Sequence, residues 1–207
     1  MYGNLDGLSD IGELQQVMDA DETVLWTGRP HFLAFLLTGI SFLLVGGIWL
    51  VFYLSSGILD EVFSTDGPSK LFFLLHSFPI WGSVLNIFRL MLVHRNEVYA
   101  ITNKRVAMQS GFWGLDYQSI DFDKIQDIQV NVGPVAKYLG VGNIYISSAG
   151  SDGVFLAIHS PYNVYKKLKT VSVDVKTDWN FPNAQRPGHN PGYGTQYGPR
   201  KLSLIHI

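Results

Sequence analysis

The sequence predicts an α+β protein: a two-helix transmembrane hairpin, then a small, curved antiparallel sheet closed by one C-terminal helix. Three observations predict it. Residues 32–54 (FLAFLLTGISFLLVGGIWLVFYL) carry no charged side chain, and residues 71–93 (LFFLLHSFPIWGSVLNIFRLMLV) are apolar but less purely so, holding His76, Pro79, Asn86 and Arg89. At about 1.5 Å per helical residue, each run is as long as the hydrocarbon core of a bilayer is thick. After Arg95 the texture changes to short runs rich in Val, Ile, Tyr and Phe, separated by Gly and Asn turns, which is the composition of strands.

The N-terminal segment 1–31 carries Asp6, Asp10, Glu13, Asp19, Asp21 and Glu22 against Arg29 alone, so it lacks the basic start of a cleavable signal and the first apolar run is expected to be retained. Within it, Leu8, Ile11, Leu14 and Val17 or Met18 recur at helical spacing, with Ser9 or Asp10 as cap. A short surface helix is the expectation over 8–18, and a helix lying on the membrane or the folded domain is the alternative.

Orientation follows the basic residues near the helix ends. Arg29, Arg89, Arg95, Lys104 and Arg105 fall on the side shared by both termini, whereas the outer loop 55–70 offers only Lys70. The expectation is a multi-pass protein of the plasma (inner) membrane with both termini cytoplasmic. Along the span 71–93, His76, Pro79, Ser83 and Asn86 share one helix face. Polar groups avoid lipid, so that face is expected to meet the first helix, where Gly39 and Gly46, with Thr38, Ser41 and Gly47, allow close backbone approach. His76, Ser83, Asn86, Gly39 and Gly46 are therefore the candidates for interhelical packing, with a transport pathway as the alternative. Arg89 and Arg95 are candidate interfacial anchors, and His94 beside them suits the same zone.

In the region 94–178, strands are expected over 97–102, 105–110, 117–122, 125–132, 143–148 and 154–159, with hairpin turns at Asn103-Lys104, 111–114 and 150–153. Alternation in the last run places Val154, Leu156 and Ile158 on one face. Ser160-Pro161 then starts a helix whose Val164, Leu168 and Val171 form an apolar stripe, with Lys166, Lys167 and Lys169 facing outward. Residues 179–207 lose all periodicity to Pro, Gly, Asn and Gln, and disorder is expected there. The final 202–207 (LSLIHI) resembles the translation of a transposase mosaic-end adapter used in sequencing libraries, and is read as an artefact without function.

Composition narrows function. Fifteen basic against 17 acidic residues in 207 give no field that would recruit nucleic acid. The absence of cysteine removes disulfides, thiol nucleophiles and thiolate metal sites. No HxxxH, HExxH or GxSxG pattern occurs, and Gly140-Val141-Gly142 lacks the third glycine of a dinucleotide fingerprint. Asp121, Asp123 and Asp127 lack the glycine and terminal Glu of a calcium loop. No cofactor and no catalytic residue is expected.

Four segments carry a resemblance: 22–30 (ETVLWTGRP), 99–106 (YAITNKRV), 120–130 (IDFDKIQDIQV) and 139–150 (LGVGNIYISSAG). In this order around two apolar runs, the chain resembles the bacterial pleckstrin-homology (PH)-like membrane proteins over most of 22–172. The resemblance implies a PH-like domain, a bent sheet closed by a C-terminal helix, here at 94–178. It implies no defined activity. The leading expectation is a membrane-anchored, non-enzymatic interaction module that binds protein partners or copies of itself. The alternative is recognition of anionic lipid headgroups, with Lys104 and Arg105 as candidate contacts because PH domains that bind phosphoinositides carry basic residues at the first hairpin. A transporter component or an enzyme is the third reading.

Overall fold

The computed structural model describes residues 13–20, 22–58 and 70–180, and the expectations for 1–12, 59–69 and 181–207 lie outside the described residues. The chain divides into two compact units, a helical one from Phe32 to Arg95 and a sheet unit built from the residues on both sides of it.

In the helical unit, the first apolar run forms α1 (Phe32–Leu36), a 3₁₀ turn (Leu37–Gly39) and α2 (Ile40–Ser56). Together they make a helix of 25 residues with mean hydropathy 2.3 in its most apolar window, long and apolar enough to cross a membrane. The second run was expected as one helix and is two: α3 (Lys70–His76) and α4 (Phe78–Asn96) meet at Ser77 with a bend of 55°. Only as a bent pair is this run both long and apolar enough to cross a membrane. The cause is Pro79, which has no N–H for the carbonyl of Leu75 and whose ring crowds that turn. The carbonyls disturbed by the break find other donors. Trp49 Nε1 donates to His76 O at 2.9 Å, and Trp81 Nε1 donates to Leu74 O at 3.0 Å. Backbone groups freed by a proline within a helix need such replacements, because an unpaired buried polar group costs free energy.

The sheet unit holds two antiparallel sheets. The first has the order β1 (Val24–Gly28), β2 (Val98–Thr102), β3 (Arg105–Ser110), β4 (Asp116–Asp121). The second comprises β5 (Ile125–Asn131), β6 (Val141–Ser148) and β7 (Gly153–His159). A short α5 (Pro134–Tyr138) lies in the β5–β6 link, and α6 (Pro161–Asn180) follows β7. Tyr99, Ile101, Val106, Ile120, Phe122, Ile144, Phe155 and Ile158 fill the core, closed by Val164, Leu168, Val171 and Val175 of α6. Trp26 and Tyr99 stack on the Phe155 ring at 5.8 and 4.7 Å, each such pair adding about 0.5–1.5 kcal/mol beyond its buried area.

Three expectations need correction. A domain starting at residue 94 omits β1, whose Thr27 and Gly28 register with Ala100 and Tyr99 across the whole helical unit in sequence. On β7 the buried residues are Gly153, Phe155, Ala157 and Ile158, so of the expected face Val154, Leu156 and Ile158 only Ile158 is buried. A bulge explains it: between Gly142 and Ile144 the register shifts, three steps on β7 against two on β6, and Ala157 takes φ 50°. The Ala157 amide donates to Asn143 Oδ1 at 2.8 Å, and Ile158 is turned into the core behind it. Finally, Lys167 does not simply face outward, since its ammonium donates to the Leu25 carbonyl of β1.

Near the N-terminus, the described part of the expected helix is a single 3₁₀ turn, Leu14–Val17. Leu14 packs with Val98, Ala100 and Ala107 on the outer face of the first sheet. That cover explains why β2 is buried on both faces and shows no alternation.

Candidate functional site

The candidate headgroup contacts, Lys104 and Arg105, lie at the turn between β2 and β3, and the fold brings two acidic residues to them. Lys104 Nζ sits 3.2 Å from Asp19 Oδ2, and Arg105 reaches Asp19 at 3.1 Å and Glu22 at 2.8 Å. Arg105 Nε and its terminal nitrogen bind both Glu22 oxygens, a bidentate arrangement. The Thr102 hydroxyl donates to Glu22 Oε1 at 2.7 Å and accepts the amides of Lys104 and Arg105, while the Asp19 amide donates to Glu22 Oε2 at 3.1 Å. Beside them, Thr23 and Asn103 exchange two hydrogen bonds of 3.0 Å. The hairpin thus clamps the segment that leads into β1.

The electrostatics follow from this geometry. Burial works to raise the Glu22 carboxyl, but the bonds from Arg105, Thr102 and the Asp19 amide outweigh it and hold the group below its ordinary value. Arg105 is held more firmly protonated by Glu22, against a smaller opposing effect of burial. Two carboxylates therefore neutralise two cations, and little positive field is left for a phosphate. Sequence reasoning did not connect Asp19 and Glu22 with this turn. The available signal was charge complementarity between ETVLWTGRP and TNKR, two segments of the same resemblance.

A second buried polar group lies at the start of β2. Tyr99 donates to Glu97 Oε1 at 2.9 Å and accepts the Leu156 amide at 3.1 Å, tying the first sheet to β7. Burial raises the Glu97 carboxyl against the opposing Tyr99 bond, and burial together with the Glu97 charge raises the Tyr99 phenol.

Within the helical unit, the structure brings the interhelical candidates together in pairs. A Cβ on Gly46 would meet the Ser83 side chain, with the Pro79 carbonyl oxygen at 2.8 Å, and one on Gly39 would meet Leu90 and, at 3.1 Å, Asn86 Nδ2. His76 Nδ1 shares a hydrogen bond with the Tyr53 hydroxyl. Arg89 donates to Asn86 Oδ1 at 3.3 Å, and the His94 ring meets Phe32 and Phe35 edge-on. Arg95 ends the unit, exposed.

A groove on the sheet unit lies between the edge strand β5 and α6. Ile125, Ile128, Tyr165, Val173, Lys169 and Lys176 line it. Charged side chains guard the edge itself: Lys176 Nζ donates to Ile125 O at 2.6 Å, and Asp127 accepts the Ile128 amide at 2.8 Å.

The bacterial PH domain profile matches residues 32–175, starting after β1. No curated protein matches the chain. Among solved structures, the chain is similar to a crystallised DUF1696-family protein with a pleckstrin-homology domain from Shewanella loihica, at 12% identity and a TM-score of 0.40, covering 82% of this chain and 98% of that one. Two antiparallel sheets closed by α6, and a family match over most of the length, place this chain in the bacterial PH domain family.

Proposed function

We propose that the chain is a membrane-anchored, non-enzymatic PH-like interaction module of the inner membrane, with its sheet unit and both termini on the cytoplasmic side. The carrying observation is the pairing of β1 with β2. Gly28 and Tyr99 are registered neighbours although the whole apolar unit lies between them, so both ends of that unit lie on one side. A single crossing by Phe32–Ser56 would separate the two strands. A return crossing by the bent pair keeps them together, and a two-helix hairpin satisfies the fold. Only 17% of the most apolar window of Phe32–Ser56 is buried within the chain, which suits a helix facing lipid better than a core helix.

The partner is a protein or a second copy of the chain. The β5–α6 groove supports this reading, because an incoming strand can displace Lys176 and Asp127 from the edge and place apolar side chains beside Ile128 and Val173. Headgroup recognition at the first hairpin is disfavoured by the engagement of Lys104 and Arg105 with Asp19 and Glu22. Because the chain has no cysteine, single Cys variants give unambiguous labelling. With an impermeant maleimide on intact cells, Ser64→Cys is expected to react, and Gln15→Cys and Gln126→Cys only after permeabilisation. Reaction of positions 15 and 64 from the same side would refute the hairpin. A photoreactive side chain at Val173 in the native membrane is expected to yield protein adducts, and lipid adducts alone would refute the protein-partner reading.

A further inference from the structure

The sheet unit has one end from which the apolar unit departs, and among the described residues its two most exposed large hydrophobic side chains are both found there. β1 ends at this end with Gly28, and β2 begins there with Val98. The β3–β4 link projects from the same end. Asn96 Nδ2 donates to Gly111 O at 3.0 Å and Gln109 Nε2 to Asn96 O at 3.3 Å, so the link lies beside the returning chain. Its turn is tight: Gly111 has φ 142°, and the missing Cβ lets the Gly114 carbonyl close over it. At the tip stands Trp113, 92% exposed, with Phe112 edge-on to it at 5.2 Å.

The β5–β6 link projects there as well. The His31 amide donates to Ala157 O at 2.8 Å, the His31 and His159 rings meet at 4.9 Å, and the Ser160 amide donates to Gly140 O at 3.2 Å. These bonds bring α5 and the start of α6 to the departing chain. Tyr138 on α5 is 91% exposed, with Val135 and Tyr162 also exposed nearby. Solvated links ordinarily carry Gly, Asn, Asp and Ser, and nothing in the packing of the sheets calls for Trp or Tyr at these tips. Trp and Tyr do have one preferred environment of this kind, the membrane–water interface, where the ring is half solvated by lipid. Arg29, Arg95 and Lys137 supply cations at the same end, with Asp116 the exposed acid at the base of the β3–β4 link.

We propose that this end of the sheet unit rests in the headgroup zone of the membrane that the apolar helices enter, with Trp113 and Tyr138 inserted as two separate interfacial anchors. Two anchor points on different links fix the tilt of the domain on the bilayer and leave the β5–α6 groove facing water. The proposal rests on the membrane-anchored reading above and names the lipid surface as a partner of the sheet unit itself.

The test uses the full chain in phosphatidylcholine–phosphatidylglycerol vesicles with an environment-sensitive fluorophore on single cysteines. Gly114→Cys, whose Cβ meets nothing within 4 Å, and Lys137→Cys report on the two tips without removing the aromatics. Asp123→Cys, in the exposed turn that follows β4 at its end away from the β3–β4 link, and Ile48→Cys, in the first apolar helix, are references. Labels at 114 and 137 are expected to be blue-shifted and quenched by nitroxide lipids labelled near the headgroup, and the label at 123 neither. Adding Trp113→Ser is expected to abolish the quenching at 114. Labels at 114 and 137 that behave like the one at 123, while position 48 is quenched by nitroxides deep in the chains, would overturn the proposal. Quenching at 114 that survives Trp113→Ser would overturn the anchor role of Trp113. An unquenched label at 48 would instead refute the membrane-anchored reading, and this inference with it.

Discussion

A carboxylate with no exposed surface survives only where its oxygens are engaged, and Glu22 meets that condition through Arg105, Thr102 and the Asp19 amide. Removing the cation alone leaves the charge stranded. Arg105→Ala is expected to destabilise the sheet unit by about 2 kcal/mol in denaturant unfolding of the full chain in detergent, below the usual cost of a wholly buried pair because Arg105 keeps 21% of its side-chain surface exposed. Arg105→Lys is expected to recover only part of this, since an ammonium cannot bind both oxygens in one plane. The pH dependence has a definite sign. The folded Glu22 carboxyl lies below its ordinary 4.5, so its contribution is present above 4.5 and is lost as pH falls through the folded value. Glu97, raised above 4.5 by burial, slopes the other way, so the difference between the parent chain and Arg105→Ala isolates the Glu22 share. That difference is expected to shrink as the solution is acidified below pH 4.5, and a constant difference would reject the pair as its source. The sequence displays Lys104 and Arg105 as a free basic pair because their partners lie more than eighty positions upstream. Local reading cannot supply a contact that only the β1–β2 pairing creates.

Elements with a local signature were legible. β3 and α6 begin where turn and cap residues place them, at Arg105 and Pro161, because a turn or cap is written within a few positions. The elements that escaped depend on distant partners. β1 is half-buried along its whole length and carries no alternation, and β7 alternates on paper until the bulge at Ala157 reverses its last residues. In the helical unit, Pro79 was visible as a residue, but not the extent of the break, because Trp49 and Trp81 take up the disturbed carbonyls. The contact of α2 with α4 gives a sharp test. Gly46→Leu drives a side chain against Ser83 and the Pro79 carbonyl and is expected to cost roughly 1–3 kcal/mol of helix packing, read as a lower thermal midpoint in detergent. Gly47→Leu, one position on, meets nothing within 4 Å and is expected to leave the midpoint unchanged. Equal effects at both positions would show that helix propensity, rather than the close approach, governs stability.

At the scale of the whole molecule, the apolar unit is an insertion within a hairpin. β1 and β2 would be joined by a short turn in an ordinary antiparallel sheet, and here the turn is replaced by Phe32–Arg95. This arrangement makes the fold of the sheet unit conditional on both ends of the insertion returning to one place. Leu25 and Trp26 of β1 pack against the main core, and Lys167 of α6 holds the Leu25 carbonyl, so β1 is part of the folded unit and not an accessory edge. Replacing 32–95 by a short Gly-rich linker, with Pro30, His31 and Asn96 retained, is therefore expected to give a water-soluble chain with dispersed amide NMR spectra and one cooperative thermal transition. The fragment 96–180, which keeps β2 to β7 and α6 but lacks β1, exposes one face of Phe155 and the open edge of β2. It is expected to aggregate or to melt without cooperativity. Should that fragment unfold at the same temperature as the linked chain, β1 would be dispensable, its pairing with β2 would no longer constrain the insertion, and the argument for a returning second crossing would lose its basis.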